Sequence, residues 1–202
     1  MTLWRGKDPL ILASQSGARQ ALLANAGIAF EAVPAGIDER EIQRASGLVT
    51  PGAIASHLAQ QKALWVSTRQ PGRIVVGADQ TLALAQRLFS KPAGRAQAAE
   101  QLRALAGNSH ELHSAVAVAR DGKIVFETTS VARMTMRRLT ATDIEAYLDE
   151  AGEAVTSSVG AYQLEGLGVH LFEHIEGDHF TILGLPLLPL LAYLRREHLL
   201  TV

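Results

Sequence analysis

Apolar residues along this chain come in short runs separated by turn residues, and the runs switch between strand-like and helix-like spacing. Residues 10–13, "LILA", form an unbroken apolar run of strand length and predict a buried strand. Residues 17–26 predict a helix with Ala21, Leu22 and Leu23 inside and Gly27 at its C-terminal stop. Residues 30–34 predict a short strand, and the polar stretch "GIDEREIQRASG" behind it predicts a charged loop. Pro51 opens a helix through Val66, because the first helical position needs no N–H. "RIVVGA", residues 73–78, predicts an apolar strand that ends at "DQ", with a second apolar run over 81–85. An Ala-rich helix is predicted over 94–105, stopping at Gly107. Residues 113–119 and 123–136 predict two strands joined by Asp121-Gly122, a good hairpin pair. Thr140 caps a helix over 140–150, with Asp143 three residues on. The Gly-dense "GAYQLEGLGVHLF" follows, and an amphipathic helix over 187–198 closes the chain.

Strands alternating with helices predict an α/β fold, and the hairpin in the middle predicts a mixed sheet. With 202 residues, 48% of them hydrophobic, the chain has ample material for one large or two-lobed domain, read here as a single domain over 1–202. No repeat, linker or low-complexity segment interrupts it. Acids and bases number 20 and 19, so the basic excess of a protein that coats a nucleic acid polymer is missing. There is no cysteine, which excludes disulfides, a thiolate nucleophile and a Cys-type zinc site and suits a reducing cytoplasm. "MTLWRGKDPLI" is interrupted by Arg5, Lys7 and Asp8 and lacks a signal peptide's apolar core. The longest uncharged apolar stretch, 180–194, holds Pro186 and Pro189 and falls short of the roughly 20 residues that a membrane-spanning helix needs. A soluble cytoplasmic protein with no membrane contact is expected.

Candidate chemistry begins in "ILASQSGARQ". A helix start is electropositive and favours acids, yet Arg19 stands in that first turn and no acid follows until Glu31. Ser16 as a plain cap is worth about 1 kcal/mol. A cap does not account for Arg19, which takes the place of the Glu or Gln of a capping box. Ser14, Ser16 and Arg19 at a strand–helix turn would cradle an anion such as phosphate. Both readings stand at this point. Asp79, beside Gln80, ends a very apolar strand, and ligands of open α/β sheets sit at such ends. It could bind Mg²⁺ or take a proton from water, or simply form a turn. Asp38 and Glu39 are a second acidic point, or a solvated loop. Lys62 and Lys91 would each pass for surface lysines; with Arg19 they could neutralise a triphosphate. Carboxylates for a metal and cations for phosphates are what phosphoanhydride hydrolysis requires. His110 and His113 would face opposite sides of a strand. No Ser-His-Asp order, nucleophile elbow, Walker A loop or G-x-G-x-x-G is present.

In order and spacing these pieces resemble the Maf family of nucleoside triphosphate pyrophosphatases over nearly the whole chain. "LILASQSGARQALLANAG", "GIDE", "HLAQQKA", "VVGADQ", "SKPAGRAQAAEQLRALAGNSHELHSAVAV", "GAYQLEGLG" and "ILGLPLLPLL" are each similar to a family segment. The resemblance implies a Maf/ITPase-like α/β fold, with an elongated mixed sheet flanked by helices and two lobes around a central cleft. It implies cleavage of a nucleoside triphosphate to its monophosphate and diphosphate, a house-cleaning of non-canonical nucleotides. It also implies a divalent metal cofactor, Mg²⁺ with Mn²⁺ or Co²⁺ as alternatives. By matching position, Ser14, Ser16, Arg19, Lys62 and Lys91 would hold phosphate, with Lys91 in the catalytic set. Asp79 would activate water, and Glu39 would serve the metal or the water, so that Asp79 and Glu39 are the metal-ligand candidates.

The resemblance further implies that Ala18, Gln80 and Glu165 fall at the family's base-discriminating positions. Gln80 and Glu165 resemble the branch acting on 7-methyl-GTP, since a carboxylate can accept the N1–H and exocyclic amine of a guanine. Gly17-Ala18 replaces the family's frequent Pro-Arg or Pro-Trp and matches neither branch. The alternatives are a dTTP/UTP pyrophosphatase and, in another class, a nucleotide-binding inhibitor of septum formation acting as an interaction protein. A homodimer is expected from the resemblance and from the uncharged 180–194 stretch, whose other reading is ordinary core.

Overall fold

The computed structural model describes residues 3–201. Met1, Thr2 and Val202, the ends of the expected 1–202 domain and the start of the N-terminal stretch read above, lie outside the described residues. A seven-stranded sheet runs in the order β2-β1-β3-β5-β6-β7, with β4 paired to β3. Its strands are β1 (Leu10–Leu12), β2 (Phe30–Ala32), β3 (Val75–Leu84), β4 (Arg87–Phe89), β5 (Ser109–Arg120), β6 (Lys123–Met136) and β7 (Phe172–Glu176). β1 runs parallel to β2 and β3, whereas β3–β4 and β6–β7 are antiparallel, so the sheet is mixed. Among the described residues seven α-helices accompany it: α1 (Gly17–Asn25), α2 (Glu39–Ser46), α3 (Pro51–Ser67), α4 (Arg95–Leu105), α5 (Ala141–Ala151), α6 (His179–Ile182) and α7 (Leu187–Arg196). Among the described residues no helix is long and apolar enough to cross a membrane.

The chain forms two compact units. One takes Met1–Gln80, Ser114–Ser130 and Leu183–Val202; the other takes Thr81–His113 and Val131–Ile182. In the first, β1 is wholly buried, as its apolar run requires. α1 buries Leu22 and Leu23, while Ala21, expected inside, is exposed. α3 lays Ala55, Ala59 and Ala63 against Ala115, Ala117 and Ala119 of β5. In the second, α4 and α5 enclose a core with Leu102, Leu105, Met134, Met136 and Ile144. Thr140 and Asp143 form a complete capping box at the start of α5.

Two expectations are corrected. Residues 39–46 are a helix and not part of a charged loop: Asp38 caps α2 by accepting the Glu41 N–H at 3.0 Å. Asp79 and Gln80 do not end a strand, because β3 continues from Val75 to Leu84 and carries them in its middle. The Gly-dense segment folds into short 3₁₀ turns before β7. The 180–194 stretch is largely core, with Ile182, Leu185, Leu187, Leu190, Tyr193 and Leu194 buried and Leu188 exposed.

One glycine sets the distance between β3 and α3. A Cβ at Gly77 would lie 2.2 Å from the carbonyl oxygen of Ala59 and 2.7 Å from the backbone nitrogen of Ala63. Strand and helix backbones therefore touch at that point, which only a residue without a side chain permits. Gly77→Ala is expected to lower unfolding free energy by about 1–3 kcal/mol through overpacking, as measured by urea denaturation. An unchanged midpoint would show that the close approach is not maintained in solution.

Candidate active site

The first unit assembles its polar groups around the turn between β1 and α1. Ser14 is buried, and its Oγ accepts from the Ser16 N–H at 3.2 Å and from Arg19 Nη1 at 3.3 Å. Ser16 is the N-cap of α1; its Oγ accepts the Arg19 N–H at 3.4 Å. The plain-cap reading of Ser16 is thus correct as far as it goes, and no acid occupies the helix's first turn. Arg19 does not reach outward. Its Nε donates to the Gly184 carbonyl at 2.7 Å and its Nη1 to the Ala78 carbonyl at 2.9 Å. Burial lowers its pKa, while the charges of Asp79 and Glu39 oppose that shift; an arginine remains protonated regardless. The positive residue at the positive helix end is therefore compensated by two carbonyl dipoles and two carboxylates.

Asp79 and Lys62 meet where β3 and α3 touch. Lys62 lies one turn along from Ala59 and next to Ala63, the residues that Gly77 admits. Its Nζ donates to Asp79 Oδ1 at 2.6 Å and pairs with Glu39 Oε1 at 2.8 Å. The Lys62 and Asp79 side chains are 10% and 9% exposed, against 51% for Glu39. Glu39 is the first residue of α2, so the helix that the sequence concealed is what presents it. Burial pushes the Asp79 pKa up from its ordinary 3.8, and the nearby Glu39 adds to this, while Lys62 and Arg19 pull it back. Desolvation wins, as expected for a carboxylate removed from water. A buried pair of this kind contributes little net stability, but removing one partner strands the other at about 3–5 kcal/mol.

Six sequence candidates thus come together in the first unit: Ser14, Ser16, Arg19, Glu39, Lys62 and Asp79. Ala18 is half-buried in the first turn of α1. Gln80 is half-buried and donates from Nε2 to the Ser114 Oγ at 2.8 Å. Lys91 and Glu165 belong to the second unit, and both are exposed. There, the buried Gln101 of α4 holds the segments that carry them. Its Nε2 donates to the Ser90 carbonyl at 2.8 Å, and its Oε1 accepts the Gly160 N–H at 3.1 Å. His110 is buried with Nε2 2.7 Å from the Tyr162 hydroxyl, and burial drops its pKa to about 4. His113 pairs instead with Glu111 at 3.1 Å, so the two histidines do face opposite ways.

The sequence reading missed Gly77, Ser114, Gly184 and Gln101. Gly77 alone left a usable signal, an isolated glycine within an apolar strand run.

Among the described residues no three His, Asp or Glu side chains gather as a metal cage. Asp79 and Glu39 nevertheless offer hard carboxylate oxygens on either side of one ammonium. Mg²⁺ commonly takes one or two carboxylates and completes its shell with water and substrate phosphate. The pair fits an ion of that kind.

A family model described as Maf-like protein matches residues 9–197. The chain is 68% identical over 200 residues to a nucleoside triphosphate pyrophosphatase of Rhodopseudomonas palustris (strain BisB18), covering 99% of each chain. It is 70% identical over 202 residues to a nucleoside triphosphate pyrophosphatase of Bradyrhizobium diazoefficiens, covering 100% of each. It is also 52% identical over 191 residues to a 7-methyl-GTP pyrophosphatase of Brucella abortus, covering 93% of this chain and 96% of that protein. With the strand–serine–helix turn, the paired carboxylates and a match over nearly its full length, the chain belongs to the Maf-like protein family.

Proposed function

We propose that this protein is a nucleoside triphosphate pyrophosphatase, a hydrolase that cleaves a nucleoside triphosphate between its α- and β-phosphates. The observation that carries the reading is the buried Asp79 carboxylate, held at 2.6 Å by the Lys62 ammonium, which it shares with Glu39. In the reaction a water oxygen bonds to the α-phosphorus and the bond from that phosphorus to the bridging oxygen breaks. Nucleoside monophosphate and diphosphate are released. The water's proton passes to Asp79, whose Oδ1 is engaged by Lys62, which leaves Oδ2 as the acceptor. Lys62 keeps that carboxylate charged against the pull of burial and adds positive charge for the phosphates. The turn at Ser14 and Ser16 presents the N-terminus of α1, whose first N–H groups suit an anion. Lys91 is the further phosphate candidate that the family resemblance supplies. A divalent ion, Mg²⁺ with Mn²⁺ or Co²⁺ as alternatives, would be held by Asp79 and Glu39 and would supply charge neutralisation to the polyphosphate.

The substrate we favour is a triphosphate with a modified guanine, as 7-methyl-GTP is. Glu165 is exposed and so able to meet a base, and its carboxylate suits the N1–H and exocyclic amine of guanine. One relative is named for that activity. The alternative is a pyrimidine triphosphate, dTTP or UTP. A homodimer and a cytoplasmic location go with the same reading.

Hydrolysis of a nucleotide panel, followed by diphosphate release, should show turnover of 7-methyl-GTP above UTP and dTTP; turnover of UTP and dTTP alone would remove the guanine assignment of Glu165. Asp79→Asn should lose about 10²–10⁴-fold in kcat with an unchanged circular dichroism spectrum, the usual worth of a general base; retained hydrolysis would take Asp79 out of the mechanism. The base must be charged and burial raises its pKa. kcat/KM should therefore fall on acidification along a limb centred above pH 3.8, the group's ordinary value. A profile still flat at that pH contradicts the role.

A further inference from the structure

Arg19 occupies the place where a phosphate ligand was expected, but its hydrogen bonds are directed into the protein. Nε and Nη1 point to carbonyls on two separate segments: Gly184 O at 2.7 Å, just ahead of α7, and Ala78 O at 2.9 Å, on β3. Nη1 also reaches Ser14 Oγ at 3.3 Å, beyond β1. Ala78 is the residue immediately before Asp79. A carbonyl fixed there fixes the peptide plane from which the Asp79 side chain departs.

Gly184 has what such a contact requires. Its φ of 87° is one that residues with a side chain avoid, and a Cβ there would lie 3.2 Å from both Nε and Nη2 of Arg19. The Nε–Nη2 edge of the guanidinium therefore lies close against a bare backbone, and its fork spans two acceptors that diverge. A lysine has the charge but not the fork.

We propose that Arg19 is a positioning residue. It ties the backbone beside Asp79 to the Gly184 segment and to Ser14, and so aims the Asp79 carboxylate, while its direct share of nucleotide affinity is small. The inference rests on the pyrophosphatase reading for its kinetic consequence, but the tie itself is a statement about structure.

Two substitutions test it. Arg19→Lys keeps the charge and loses the fork. It should lower kcat about tenfold or more, as misaligned reacting groups do. Its Kd for a non-hydrolysable nucleoside triphosphate should stay within about twofold of wild type. Gly184→Ala keeps Arg19 and pushes on the guanidinium, and should show the same split. Amide hydrogen exchange in Arg19→Lys should accelerate at residues 76–80 and 183–186 and remain unchanged in α5. A Kd raised more than about threefold, or a fully active Arg19→Lys, would make Arg19 a phosphate ligand and overturn the proposal. Unchanged exchange at both segments would overturn it independently of any activity. If the wild-type protein hydrolyses no nucleotide, the pyrophosphatase reading fails, and the exchange measurement still decides the tie. Should Gly184→Ala fold poorly on account of its φ, Arg19→Lys decides the question.

Discussion

One ammonium group held by two carboxylates organises the candidate site. Lys62 reaches Asp79 at 2.6 Å and Glu39 at 2.8 Å, and each partner comes from a different element: α3, β3 and the start of α2. Three elements must therefore be in place for the cluster to exist. Gly77 decides how near the first two come, because its missing side chain lets β3 rest on the Ala59 carbonyl. The alanines along α3 and β5 serve the same end. A larger side chain on either face would hold Lys62 away from Asp79 and leave both charges without their partner, which is the costly outcome for buried ions. The small-residue packing and the charge pair are thus one constraint.

The electrostatics of the cluster favour reactivity over stability. Desolvation raises the Asp79 pKa, and Lys62 and Arg19 only partly offset it. A carboxylate in that condition is a better proton acceptor than one in water, provided that the cations keep it ionised at working pH. Arg19 adds to this through its field and through its bonds to the Ala78 and Gly184 carbonyls. In the second unit Gln101 does comparable work for the segments that bear Lys91 and Glu165, since both ends of its amide are engaged by backbone.

Much of the fold could be read from spacing. β1, α1, α3, α4, α5 and α7 announce themselves by apolar runs, a proline at the first helical position or a cap. What stayed hidden depended on partners remote in sequence. α2 buries no residue, so it has no apolar stripe, and its charges read as loop although Asp38 and Glu41 have the spacing of a cap. In sequence β3 reads as two runs split at Asp79-Gln80, because a strand core rarely tolerates two polar residues; Lys62, 17 positions earlier, and Ser114, 34 later, are what make them acceptable. β4 has only three residues and β7 is largely exposed, and neither gives a clear period. For the site, the residue types were legible and their relations were not. Arg19 stands out in sequence as a cation at a positive helix end, but no local pattern shows that its acceptors are carbonyls at 78 and 184.

The pairing of Asp79 with Lys62 can be tested by carbon-detected NMR titration of the Asp79 side-chain carboxyl in the wild-type protein and in Lys62→Met. Burial opposed by an ammonium predicts a wild-type midpoint above the ordinary 3.8 and a further upward displacement once the ammonium is gone. A wild-type midpoint at or below that value, or the same midpoint in both proteins, would contradict the buried, Lys62-compensated carboxylate on which the proposed chemistry depends.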